Sequence, residues 1–95
     1  MAKKGKDNDL NEKILKLCLS NAIEDSNLTI QFIDTRIKFY TTLIEQLEDN
    51  KPFFFQKKKL IEYNNKLEEY NNKISDLYRQ MGEETELIIK MHEQL

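Results

Sequence analysis

Side chains able to do covalent or metal chemistry are few in this 95-residue chain, and they stand apart. There is one histidine, His92, and one cysteine, Cys18, near opposite ends of the sequence. A nucleophile needs a base within hydrogen-bond reach, and a structural zinc site needs four nitrogen or sulfur ligands. Neither residue has that company. His92 has Ile88, Ile89 and Leu95 at helical spacing, the surroundings of a surface histidine close to a helix C-terminus. Glu83, Glu84 and Glu86 make a local acidic patch, but carboxylates on one helix do no acid–base work without a pocket. With 39% apolar residues, two glycines and one proline, the chain has little means to build a concave apolar site. No catalytic residue, metal ligand or cofactor is assigned, and a non-enzymatic role is expected.

Binding is a different matter. Near the midpoint stands Lys51-Pro52-Phe53-Phe54-Phe55-Gln56-Lys57-Lys58-Lys59. Successive helical residues point about 100° apart, so three adjacent phenylalanines cannot all face one helical seam. Two readings are open. In one, the rings fold over a turn and seal the end of a helix pair, with the lysines solvated. In the other, Lys51, Phe53, Phe54, Phe55, Lys57, Lys58 and Lys59 form an apolar plug rimmed by cations, suited to a groove on a partner protein, a phosphate backbone or an anionic membrane. A second candidate contact lies earlier. Leu10, Ile14, Leu15, Leu17, Cys18, Leu19, Ala22 and Ile23 cover more than one helical face, and a helix apolar over a broad arc needs more than one neighbour. Apart from Ala22, these residues are assigned to an oligomer contact.

The elements that would position these features follow from two stripes. Leu60, Tyr63, Leu67, Tyr70, Ile74, Leu77, Met81, Ile88, Met91 and Leu95 recur at steps of three and four, with Glu84 the one polar interruption. Leu19, Ile23, Ser26, Ile30, Ile33, Ile37, Tyr40, Ile44 and Leu47 do the same, while Leu10, Ile14 and Leu17 belong to another phase. Both stripes have the heptad period of helices packed along a narrow seam. The phrase Glu62-Tyr63-Asn64-Asn65-Lys66-Leu67 is echoed seven residues on by Glu69-Tyr70-Asn71-Asn72-Lys73-Ile74. Pro52, which favours a first helical turn and disfavours helix before it, separates the stripes. The expected fold is therefore all-α: an antiparallel two-helix coiled-coil hairpin with its turn near Asn50–Pro52, self-associating into a bundle. The first helix should end near Asp49 or Asn50 and the second begin at Pro52 or Phe53. Folding about that point pairs Ile44 with Leu60, Tyr40 with Tyr63, Ile37 with Leu67, Ile33 with Tyr70 and Ile30 with Ile74. Lys59, Lys66 and Lys73 would then edge the seam and reach Glu45 or Asp34. Asp25-Ser26-Asn27 and Gly82 offer a rival arrangement, because the first is a good N-cap and the second a good helix stop; breaks there would give four shorter helices.

Residues 1–8, with Lys3, Lys4 and Lys6, read as a basic, polar, disordered tail, and 9–95 as one domain. Fifteen basic and 17 acidic residues leave a formal charge of −2, which gives no general attraction to nucleic acid or anionic membrane. No apolar stretch has the ~18–20 residues of a membrane span, and a lone cysteine makes no internal disulfide. A cytoplasmic location is expected. Thirteen lysines against two arginines suggest an AT-rich genome, that of a low-GC bacterium, its phage or a protist.

The phrase Leu77-Tyr78-Arg79-Gln80-Met81-Gly82 resembles one in the small helical scaffolding proteins of short-tailed phages, which implies a dimer that templates shell assembly. In length and topology the chain is also similar to the helical hairpins of WXG100-type secreted proteins. It has Pro-Phe-Phe where those have Trp-x-Gly, and it lacks their Tyr-x-x-x-Asp/Glu tail. The leading expectation is an assembly protein (scaffold, adaptor or small inhibitor) that binds itself and one unidentified protein. The alternative is a nucleic-acid accessory protein using the lysine–phenylalanine tip, and a membrane-touching tip ranks third, behind both.

Overall fold

The computed structural model describes the backbone from residue 2 and side chains from residue 9 onward, so the side chains of the tail expected over residues 1–8 lie outside the described residues, and its backbone is helical from Ala2. Helix α1 runs Ala2–Asp49 and helix α2 runs Lys57–Glu93. Lys, Glu, Leu and Gln sustain helix in both, and no proline falls inside either one. The two lie antiparallel in a rod of 84 × 15 × 14 Å. Among the described residues there is no strand. The all-α hairpin is as expected.

Helices this long gain their stability from packing along an apolar face, since isolated segments are marginal in water. Ile23, Ile33, Ile37, Tyr63 and Leu77 are buried, with Tyr40, Ile74 and Met81 packed against the central three, Ile33, Ile37 and Leu77. Ser26 is buried with them, and every other seam position read from the sequence is half-buried except the last, Leu95. The core is a thin one. Even Leu77, its best-covered member, keeps 4% of its surface exposed.

The pairing of the arms departs from expectation. The ring of Tyr40 meets that of Tyr70, at 6.0 Å between centroids, and not that of Tyr63. Leu77 packs with Ile33 and Ile37. Facing residues therefore have numbers that add to 110 or 111: Leu47 with Tyr63, Ile44 with Leu67, Tyr40 with Tyr70, Ile37 with Ile74, Ile33 with Leu77 and Ile30 with Met81. The expected pairs added to 103 or 104. The slide is one heptad, and it arises in the connection. The second helix begins at Lys57, not at Pro52 or Phe53, because residues 53–56 close a turn of their own: the Gln56 N–H donates to the Phe53 carbonyl at 2.9 Å, and the Phe53 N–H donates to Gln56 Oε1 at 3.1 Å. A longer connection moves every facing pair along by one repeat.

Neither expected break occurs. Helix α1 passes through Asp25-Ser26-Asn27, where Ser26 is buried in the seam and Thr29 donates back to the Asp25 carbonyl at 3.0 Å. Helix α2 passes through Gly82. Continuous seam packing outweighs the modest local preference of these residues for helix ends. The lysine edge is also different. The four ion pairs among the described residues all lie within one helix, including Lys38–Asp34 at 3.0 Å and Lys73–Glu69 at 3.9 Å. In the observed register Lys73 instead stands 5.5 Å over the ring of Tyr40.

Candidate interaction surfaces

Two surfaces offer more apolar area to solvent than the fold requires, and α1 carries the larger. At 3.6 residues per turn, Leu10, Ile14, Leu17, Leu28, Phe32 and Phe39 align along its side away from the seam. They are 52% to 64% exposed. Thr35 falls within this row, but its hydroxyl donates to the Gln31 carbonyl at 3.0 Å, which leaves its methyl group to the surface. Asn21 and Glu24 are its polar members. Arg36 flanks the row, with its guanidinium carbon 6.0 Å from the Phe32 ring centre. The corresponding side of α2 carries Asn64, Glu68, Asn71, Ser75 and Arg79, and the exposed large apolar residues of α2, Ile61, Tyr78, Leu87 and Ile89, are scattered and form no continuous row. The hairpin thus has one oily flank and one wet one.

Of the residues assigned to an oligomer contact, Leu10, Ile14 and Leu17 join this row, and Cys18 is exposed beside it. Ile23 is buried and Leu19 half-buried in the chain's own seam. Leu15 lies on the seam side, where the register sets it against Leu95, and both stay largely exposed because α2 stops there. From residue 14 back to residue 9, α1 has no facing partner within the chain. Leu28, Phe32 and Phe39 were missed from the sequence. Their spacings of four and seven were the available signal, hidden because the stronger seam stripe runs through the same stretch.

The second surface is the tip. Phe53, Phe54 and Phe55 are 67%, 86% and 66% exposed, so the rings do not seal the seam. They pack on one another instead. Phe53 and Phe55 stack at 5.5 Å with 2° between planes, and Phe54 meets Phe55 edge-on at 5.6 Å. Lys51, Lys57, Lys58 and Lys59 surround them, all exposed. None of the ion pairs among the described residues uses these lysines. The nearest acids, Glu48, Asp49 and Glu62, lie on the helices behind the turn. Helix dipoles favour acids in a first turn and bases in a last one. Here α1 ends without a base and α2 begins with three lysines and no acid. The tip is built against local helix stability, as functional sites often are.

Elsewhere chemistry is sparse. Among the described residues no three His, Cys, Asp or Glu side chains gather as a metal site would require. On the surface of α2, Arg79 reaches Asp76 at 2.6 Å and Glu83 at 2.9 Å. The hydrogen bond and charge of Arg79 hold the Asp76 carboxyl below the ordinary aspartate value. A lowered folded-state value means this group's contribution is present above the unfolded-state value and fades as acid brings the pH down through the folded one. The exposed site makes that contribution small. No helix among the described residues is long and apolar enough to cross a membrane. Comparisons with protein-family models, with curated proteins and with solved structures gave no match.

Proposed function

We propose that this chain is a self-associating, non-enzymatic assembly protein, in which two hairpins pair through the outer side of α1 to make a four-helix layer. The unpartnered row from Leu10 to Phe39 carries the reading. Its six large side chains expose on the order of 700 Å², close to the ~800 Å² that one partner contributes to a stable interface. The whole chain exposes 7883 Å². A globular chain of its mass would expose about 5,800 Å². Two features favour a second copy as the occupant. The row is nearly uncharged, so it does not call for a partner of opposite sign. An isologous pair uses the same patch twice, so apolar meets apolar without a second evolved surface. Scaffold, adaptor and small inhibitor, of phage or low-GC bacterial origin and acting in the cytoplasm, are the roles that such a rod with free ends would serve.

Light scattering tests this directly. The wild-type chain should have twice the monomer mass at micromolar concentration. The double variant Phe32→Glu/Phe39→Glu should be monomeric with its helical circular dichroism retained, since both rings are more than half exposed and Phe39 touches the seam only edge-on at Tyr40, 5.5 Å between centroids. Ile61→Glu, on the polar flank of α2, should leave the dimer intact. A wild-type monomer, or a double variant that still dimerises, would overturn the reading.

A further inference from the structure

The tip has a chemistry that pairing through α1 does not use, and we infer that it inserts shallowly into anionic lipid bilayers. Three observations select a bilayer over the other anionic partners. First, the apex is phenyl without polar relief. Phe54 is the most exposed of the three rings, and the one polar side chain in the turn, Gln56, is turned back onto the Phe53 N–H. A wedge of that kind can enter hydrocarbon but cannot read base edges or satisfy polar groups on a protein. Second, Phe53 and Phe55 already stack on each other at 5.5 Å. A base slipped between them would need about twice the ~3.4 Å stacking distance, so the rings do not open to clamp a base. Third, the turn meets part of its own hydrogen-bonding need. The N–H groups of Asn50, Lys51, Phe53 and Gln56 have acceptors within the chain and Pro52 has no N–H to satisfy, which leaves those of Phe54 and Phe55 for the headgroup region. That lowers the cost of bringing this backbone out of water.

The lysines complete the fit. Lys51, Lys57, Lys58 and Lys59 sit beside and behind the rings, where headgroup phosphates and carboxylates would lie when the phenyl groups reach the acyl boundary. Four cations without an acid between Lys51 and Lys59 match the negative surface of phosphatidylserine-containing membranes, whereas the whole chain, at −2, does not. Glu48, Asp49 and Glu62 stand about one helical turn behind these lysines, and the rod carries the remaining acids further from that surface. Insertion of this depth crosses nothing. It anchors an 84 Å rod by one end.

The test uses the full chain with Phe54→Trp as a reporter, because the protein has no other tryptophan. With vesicles of phosphatidylcholine containing roughly a quarter phosphatidylserine, the emission should shift to the blue and the protein should float with the lipid. Phosphatidylcholine alone should bind at least about tenfold less, as should the charge variant Lys57→Glu/Lys58→Glu/Lys59→Glu carrying the same reporter. In flotation of the unlabelled chain, Phe54→Ser should lose binding by a similar factor while circular dichroism is unchanged, since the ring lies outside the seam. Flotation that ignores both the lysine and the phenylalanine changes would overturn the inference. So would tighter binding to a single-stranded or duplex DNA oligonucleotide than to the vesicles at the same salt. The α1 variant Phe32→Glu/Phe39→Glu separates this inference from the dimer proposal: as a monomer it should still show the blue shift on the mixed vesicles.

Discussion

Gly82 is the residue whose place is least demanded by its surroundings. It lies inside α2, the backbone there has no positive φ, and a Cβ added to it would meet nothing within 4 Å. Glycine in mid-helix costs conformational entropy without return, so Gly82→Ala should raise stability by about 0.5–1 kcal/mol. For a domain of this size that is an increase in Tm of roughly 2–8 °C, read by thermal melting at 222 nm. The result also reports on assembly. Gly82 faces away from the seam on the polar flank of α2, and a methyl group there is free only if no second chain packs on that flank. A fall in Tm with a change in mass would place the interface on α2 and count against pairing through Phe32 and Phe39. The same contrast, apolar on α1 and polar on α2, is what sets the outer row apart from the seam.

At the scale of the two helices, the question is what holds them in one register. The repeated Glu-Tyr-Asn-Asn-Lys phrase lets α2 slide by seven residues with tyrosine still facing tyrosine and aliphatic facing aliphatic. Sequence pattern alone therefore identifies every seam position but leaves the pairing ambiguous by one heptad. Two polar residues break the tie. In the observed register Ser26, which is buried, faces Glu84, which is half-buried, so the seam's two polar interruptions share one layer. Slid by seven toward the expected pairing, Ser26 would face Leu77 and Glu84 would face Leu19, and two layers would each bury a polar group against an aliphatic one. Polar residues in an apolar seam specify register at some cost in stability. The double variant Ser26→Leu/Glu84→Leu should accordingly melt higher, with a gain of about 1–2 kcal/mol, yet lose uniqueness. Cysteine pairs introduced in a Cys18→Ser background report this. In the otherwise native chain, Leu47→Cys should oxidise with Tyr63→Cys and Tyr40→Cys should not. In the leucine variant both pairs should form. If Tyr40→Cys stays unreactive there, the turn at 53–56 alone sets the register. That turn was the other illegible feature. Proline predicts a helix start at 52 or 53, but the reciprocal Phe53–Gln56 hydrogen bonds are a side-chain solution that helix propensity does not reveal.

For the whole molecule, the open geometric matter is which way two rods lie. The outer row runs from residue 10 to residue 39, and a two-fold axis at its midpoint sets Leu10 against Phe39, Ile14 against Thr35, Leu17 against Phe32 and Asn21 against Leu28 of the second copy. Small faces large in these four layers, and the Glu24 carboxylates, the row's one charge per chain, meet near the axis. The α1 segment that α2 leaves uncovered then rests on the part of the partner that is already a firm two-helix pair. A parallel dimer does the reverse: it sets two unsupported segments against each other and crowds four cations from each tip at one end. The antiparallel arrangement is therefore the expected one. It has a definite signature, because the midpoint of the row is also close to the midpoint of α1. The dimer would be hardly longer than the 84 Å hairpin but about twice as thick, with a lysine–phenylalanine tip at each end. Labels placed by Phe54→Cys in a Cys18→Ser background should sit about 85 Å apart by helical rise, too far for energy transfer, whereas a parallel pair would bring them within about 20 Å. Strong transfer between tips would keep the shared interface but reverse its polarity. Its absence, in a species of dimeric mass, would mean that each assembly carries a membrane-seeking end in both directions, and such a rod should cluster phosphatidylserine vesicles where the monomeric Phe32→Glu/Phe39→Glu variant only coats them.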